Sequence, residues 1–229
     1  MKSPVKDHGI YAPAERWSSL CADPAFVELL RLARVVNFLG LTFSPILIHM
    51  EDQSPRARRD RFSGFFCAAA LLHEGLRTAE SLGQYFRTMP QYKSGFAPLL
   101  SDLEITALRS GDLGKIRNEL VFHFDRAPLE PGLAKLHEGD TLVATSPDEF
   151  KQADIYFDVV DHALLAYLCG EAATQVEVNA RLQRLTEGIT TLFQRFMRAS
   201  HSLIIAALKE KGCYRKLVDR PSPADEAEG

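Results

Sequence analysis

The chain predicts an all-α fold: a single helical bundle of about five helices with a long C-terminal helix and a loop or small hairpin insert. Three observations carry that prediction. Helix-start signatures recur ahead of long apolar stretches, at Asp23-Pro24, Ser54-Pro55 and Ser146-Pro147. Apolar residues behind them repeat at three-to-four spacing, the period of one helix face. From Glu171 to Lys211 there is no proline and only one glycine, Gly188, so one long helix, or two meeting near Gly188, is expected.

Each element follows in order. Pro4, Gly9 and Pro13 break any period before Asp23, so residues 1–22 read as an irregular arm, with Trp17 packing it onto the bundle. Asp23 is an N-cap and Pro24 the first helical residue of a helix whose stripe is Phe26, Leu29, Leu30, Ala33, Val36 and Asn37, ending near Gly40. Ser54-Pro55 starts a second helix that is buried from Phe62 to Leu72 and continues through Leu82. Residues 83–98, with Pro90, Gly95 and Pro98, read as a loop.

Ser101 to Glu104 has the capping-box pattern and opens a third unit reaching about Phe124, with breaks expected at Gly111 or Gly114. Residues 126–147 carry three prolines and two glycines, which suits a loop with a small hairpin around Gly139. A helix from Ser146 to Cys169 and the long helix to Lys211 complete the bundle, with Gly212 as C-terminal cap. The domain spans residues 23–215, and the acidic tail 216–229 reads as disordered.

Composition narrows the function classes. The 229 residues are 46% hydrophobic and 25% charged, which is ordinary for a globular domain and excludes fibrous or wholly disordered chains. No apolar run reaches the roughly 20 residues of a membrane span, and no apolar segment follows Met1-Lys2 as in a secretory signal, so the expected location is the cytoplasm. The net charge of −3 gives no global attraction to polyphosphate, which leaves nucleic-acid contact to a local basic patch. Cys21, Cys67, Cys169 and Cys213 are widely spaced and suggest buried or free thiols. Phosphate-loop, dinucleotide, HExxH and GxSxG motifs are absent, and His73-Glu74 and His137-Glu138 have the wrong spacing for a di-iron bundle. No metal and no cofactor are assigned.

One segment stands out chemically, Ile116-Arg117-Asn118-Glu119-Leu120-Val121-Phe122-His123-Phe124-Asp125. Arginine offers a donor fork matched to phosphate, and histidine exchanges protons near neutral pH. On an ideal helix six steps of about 100° leave Arg117 and His123 about 120° apart, so they flank a groove or meet only where the helix is distorted or a second subunit contributes. The plain alternative is a core histidine between Phe122 and Phe124 and a surface ion pair for Arg117. The positions Arg56, Arg58, Arg59 and Arg61 are the one concentrated positive cluster, suited either to an RNA backbone or to a solvated first helical turn. His73-Glu74, and His162 with Asp158 and Asp161, read as ordinary helix residues, the alternative being polar groups that line a pocket.

Arg117-Asn118 followed, after five intervening residues, by His123 resembles the motif of the HEPN superfamily of helical bundles. In that family an Arg, often followed by a polar residue, precedes a His after four to six positions. The resemblance extends over about Asp23 to Cys213, but only the motif segment is specific. It implies a homodimer with facing motifs and a metal-independent endoribonuclease in a stress, toxin or phage-defence setting. His123 would then be general acid or base, Arg117 would stabilise charge on phosphate, and Asn118 would orient either of them. Arg56, Arg58 and Arg59 would bind RNA, and a regulatory protein partner would fit the same setting. The alternative is a non-catalytic helical module for binding or dimerisation, or a nucleotide-binding partner of a nucleotidyltransferase.

Overall fold

The computed structural model describes residues 6–48, 51–52, 54–121, 126–134, 143, 157–170 and 175–219. Among them the fold is all-α apart from one pair of short strands: β1 (Lys6–Tyr11), α1 (Trp17–Cys21), α2 (Pro24–Ile48), α3 (Pro55–Phe86), α4 (Pro90–Ser94), α5 (Phe96–Leu100), α6 (Leu103–Leu108), α7 (Arg126–Leu133), α8 (Asp158–Cys169), α9 (Gln175–Glu210) and β2 (Tyr214–Asp219). Two π-helical stretches, Arg109–Leu113 and Ile116–Val121, follow α6. No helix among the described residues is long and apolar enough to cross a membrane.

The helix starts follow local chemistry. The Asp23 carboxylate accepts from the Ala25 amide at 2.9 Å, and the Ser54 hydroxyl accepts from the Ala57 amide at 3.2 Å, so each caps its helix ahead of a proline that has no amide to satisfy. At the third start the cap is Asp102 and not Ser101. The Asp102 carboxylate accepts from the Glu104 and Ile105 amides, while the Ser101 hydroxyl donates to the Pro98 carbonyl. Carboxylate and hydroxyl are both competent caps, and the residue nearer the apolar Leu103 takes the position.

Several boundaries lie beyond the sequence expectation. α2 runs past Gly40 to Ile48, because nothing crowds or strains that glycine and a helix tolerates one at modest cost. Leu30 and Asn37, expected inside, are exposed, and Leu32 and Leu39 are buried in their place. Residues 83–98 are not an open loop: α3 continues to Phe86, and each following proline or turn opens a short helix that buries an aromatic, Tyr92 or Phe96. Neither Gly111 nor Gly114 breaks the chain, which widens into π-helix there. Gly188 does not divide α9. Residues 126–133, expected in a loop, are helical, and the hairpin around Gly139 and Ser146 lie outside the described residues; α8 begins only at Asp158 behind a non-helical Phe157, so the helix expected from Ser146 to Cys169 is not continuous.

Both chain ends differ from expectation together. Within the arm, Lys6–Tyr11 forms β1, and within the acidic tail residues 216–219 belong to β2, paired antiparallel from Lys6 opposite Asp219 to Tyr11 opposite Tyr214. Neither strand has a partner nearby in sequence, so local periodicity carries no sign of them. Trp17 is 56% exposed and does not anchor the arm. Leu20, Phe26 and Cys213 form the small cluster that does. At the end of α9 the Cys213 amide donates to Leu208 and the Gly212 amide to Lys209. Gly212 has φ +79°, so the cap expected there is a Schellman motif.

α2 and α3 form an antiparallel pair, with Thr42 beside Gly64 and Val35 beside Gly75. α9 lies across both: Phe196, fully buried, meets Gly75 and Phe96, while Phe193 stacks on Phe43 with ring centres 3.6 Å apart. Leu72, Leu76 and Leu82 give α3 a completely buried face. Its other side carries His73, Glu74, Arg77 and Glu80, and there the π-helical segments dock.

Candidate functional site

Burial of Ile116 and Leu120 against the core holds the second π-helical segment to the bundle, with its polar residues turned to the flanks. On one flank Arg117 reaches α3, donating from Nε to Oε1 of Glu74 at 2.8 Å and from a terminal nitrogen to Oδ1 of its neighbour Asn118 at 2.7 Å. On the other flank Tyr167 of α8 donates to Glu119 at 2.5 Å, and the Lys115 ammonium sits 3.8 Å from the centre of the Tyr167 ring. The first π-helical segment is tied to α3 by a two-pronged ion pair, Arg109 to Glu80 at 2.5 and 2.8 Å.

These contacts gather a polar cluster in the seam between α3 and the π-helical segments. Oε1 of Glu74 has Arg117 Nε at 2.8 Å, an Arg77 terminal nitrogen at 3.5 Å and His73 Nδ1 at 3.6 Å. Burial pushes the Glu74 carboxyl up, but Arg117 and Arg77 outweigh it and hold the group below the usual carboxylate range. The hydrogen bond from Arg109 holds Glu80 low as well. Burial pushes the His73 imidazole down, with Arg109 and Arg117 adding to the effect and Glu74 opposing it, so His73 stays neutral at physiological pH. Its Nδ1 is buried and has no hydrogen-bond partner among the described residues.

Of the residues expected at the site, Arg117 and Asn118 are therefore together and in mutual contact. His123 lies outside the described residues. Arg117 and Asn118 stand on a π-helical stretch, Ile116–Val121, in which hydrogen bonds span five residues. His73 and Glu74, read as ordinary helix residues, are in the Arg117 cluster. Their types were visible in sequence, but Arg117 stands 43 positions from Glu74, and no local pattern joins them.

The Arg56 to Arg61 cluster occupies the first turns of α3. Arg59 donates twice to Asp60, at 2.9 and 3.0 Å, Arg56 stands 3.8 Å from the same carboxylate, and Arg61 bonds the Asp52 carbonyl. Asp60 thus offsets part of the positive charge expected to meet RNA. Fifteen residues of α3 separate Arg59 from Glu74, about 22 Å at 1.5 Å per residue. Arg56, Arg58 and Arg59 thus form a second locus on the same helix and do not join the Arg117 cluster.

Elsewhere, a groove of about 600 Å³ runs between the first π-helical segment and α9, with Ile105 and Leu192 among its apolar walls and Arg181, Arg184 and Arg195 among its charged ones. Asp112 pairs with Arg181 at 2.6 Å and Asp102 with Arg195 at 2.7 Å. Of the described residues expected from sequence, Arg56, Arg58, Arg59, Arg117 and Asn118, none lines it. Among the described residues no group of three or more His, Cys, Asp or Glu side chains converges as a metal site. Set against known protein families, curated proteins and solved structures, the chain matches none.

Proposed function

We propose that this protein cleaves RNA phosphodiesters as an HEPN-like, metal-independent endoribonuclease, with Arg117 stabilising charge on the phosphate, Asn118 orienting it and His123 as general acid or base. The observation that supports the reading is the fixed guanidinium of Arg117. Glu74 holds its Nε and Asn118 one terminal nitrogen, so the fork is oriented before any ligand arrives, on a π-helical stretch of a kind often found at functional sites. In this reading Arg56, Arg58 and Arg59 steer the RNA backbone from their separate place on α3, and the protein works in the cytoplasm as a homodimer under a regulatory partner. A stress, toxin or phage-defence role belongs to the same proposal.

The test is cleavage of a labelled mixed-sequence RNA in EDTA by wild type, Arg117→Ala and His123→Ala, each shown to be folded by circular dichroism. Cyclic-phosphate ends from wild type and loss of cleavage in both variants are the expected outcome. Equal cleavage by all three would remove the site.

A second reading draws on the same ion pair. Arg117 bonded to Glu74 is also a way to dock a π-helical segment on α3, as a non-catalytic binding or dimerisation module requires. RNA that is bound without being cut by wild type, with affinity reduced in Arg117→Ala, is the result that selects it.

A further inference from the structure

A second imidazole and guanidinium pair stands on α3, separate from the Arg117 to His123 motif. His73 and Arg77 are i and i+4 neighbours of one continuous helix and so share a face. Glu74 sits between them and contacts both, at 3.6 Å from His73 Nδ1 and 3.5 Å from an Arg77 terminal nitrogen, while also accepting from Arg117. Arg109 and Arg117 face Glu74 and Glu80 across this seam and Arg77 joins them from α3 itself, which among the described residues of the cluster leaves one net positive charge with His73 neutral. That excess suits a singly charged phosphodiester.

Exposure separates the roles within the cluster. The Arg77 side chain is 58% exposed, against 25% for Arg109 and 29% for Arg117, and it has the longest of the three tethers to a carboxylate. It is the guanidinium most able to turn toward a ligand. His73 keeps 17% of its side chain exposed with Nδ1 buried, so exchange with a ligand falls to Nε2.

We propose that His73 and Arg77 form the α3 side of the phosphodiester site, Arg77 holding a phosphate oxygen of single-stranded RNA and His73 exchanging the proton of the ribose 2′-hydroxyl. This rests on the RNA-cleavage reading of Arg117. Neutral Nε2 takes the 2′-proton as O2′ bonds to phosphorus. The P–O5′ bond breaks with its electron pair going to O5′, which takes its proton from the general acid of the proposed function on the opposite side of phosphorus, and the imidazolium gives its proton to water. The products are a 2′,3′-cyclic phosphate and a free 5′-hydroxyl, with the imidazole restored. Burial, together with Arg109 and Arg117, favours the neutral starting form against Glu74 beside it. Arg77 and Glu80 are the other charged groups near the ring among the described residues.

The experiment has two arms. A short uncleavable 2′-O-methyl RNA is titrated by fluorescence anisotropy at increasing salt against the full-length wild type, Arg77→Ala and Arg77→Lys. Cleavage of the unmodified RNA is followed for wild type, His73→Ala and His73→Gln. Loss of one phosphate contact in Arg77→Ala lowers the slope of log affinity against log salt by about 0.7, and Arg77→Lys restores it. His73→Gln binds as wild type does and cleaves at least about 100-fold more slowly. An unchanged rate in His73→Gln, or an unchanged slope in Arg77→Ala, beside a wild type that cleaves, overturns this proposal and leaves Arg117 standing. A wild type that neither binds nor cleaves overturns both.

Discussion

Arg117 donates from Nε to Oε1 of Glu74 at 2.8 Å, and this contact joins the motif segment to the longest helix of the N-terminal half. Both side chains are about a third exposed, so solvent screens part of the attraction. A double-mutant cycle built from Glu74→Gln and Arg117→Ala isolates it, because glutamine keeps the shape and removes the charge. The expected coupling is about 1 kcal/mol in urea unfolding, between a surface ion pair and a buried one. Additive effects of the two substitutions would show that the contact contributes nothing to holding the π-helical segment on α3.

His73 gives stability a pH dependence whose sign is set by its environment. Burial lowers its proton affinity in the folded protein, with Arg109 and Arg117 reinforcing and Glu74 opposing, so between the folded and unfolded values the unfolded chain binds more protons. Stability is then full above about pH 6.5, the ordinary histidine value, and falls as pH drops through the lower folded value. The Glu74 and Glu80 carboxyls, both held low, make their own losses only below about pH 4.5, so the windows are separate. Urea midpoints of wild type and His73→Gln, measured from pH 7.5 down to 5, are expected to converge as pH falls. Parallel curves would contradict the assignment.

The two helix starts at Asp23 and Ser54 were legible because an N-cap and the proline behind it are neighbours in sequence and act on amides two or three residues away. The all-α class and the length of α9 were legible for a similar reason, since helix hydrogen bonds are local and the apolar stripe repeats within the element. β1 and β2 were not, because a strand of six residues is defined by a partner about 200 positions away. Gly40 reads as an end because an isolated glycine behind an apolar stripe looks like a cap. At the site, Arg117 and Asn118 were legible as chemistry within one short segment. His73, Glu74, Arg77, Arg109 and Glu80 join them only through the docking of the π-helical segments on α3, a tertiary event. The π-helix itself was hidden, because glycines at 111 and 114 suggest a break as readily as a widened turn.

Gly75 sits next to Glu74, and its missing side chain is what lets α3 press its inner face against α2 and α9. A Cβ there would lie 2.6 Å from Cζ of Phe196 and 3.1 Å from a methyl of Val35. Phe196 is fully buried between Gly75 and Phe96, with no room to withdraw. Gly75→Ala gains helix propensity of about 1 kcal/mol, while overpacking in a filled core costs about 1–3 kcal/mol. The net expectation is destabilisation, together with a shift of the neighbouring His73 and Glu74. Gly40→Ala supplies the control: it lies inside α2 with no atom within 4 Å of the added methyl, so only the propensity gain of about 0.5–1 kcal/mol remains. Thermal unfolding should therefore move in opposite directions for the same chemical change. A rise in both variants would mean that the α3 and α9 contact yields easily.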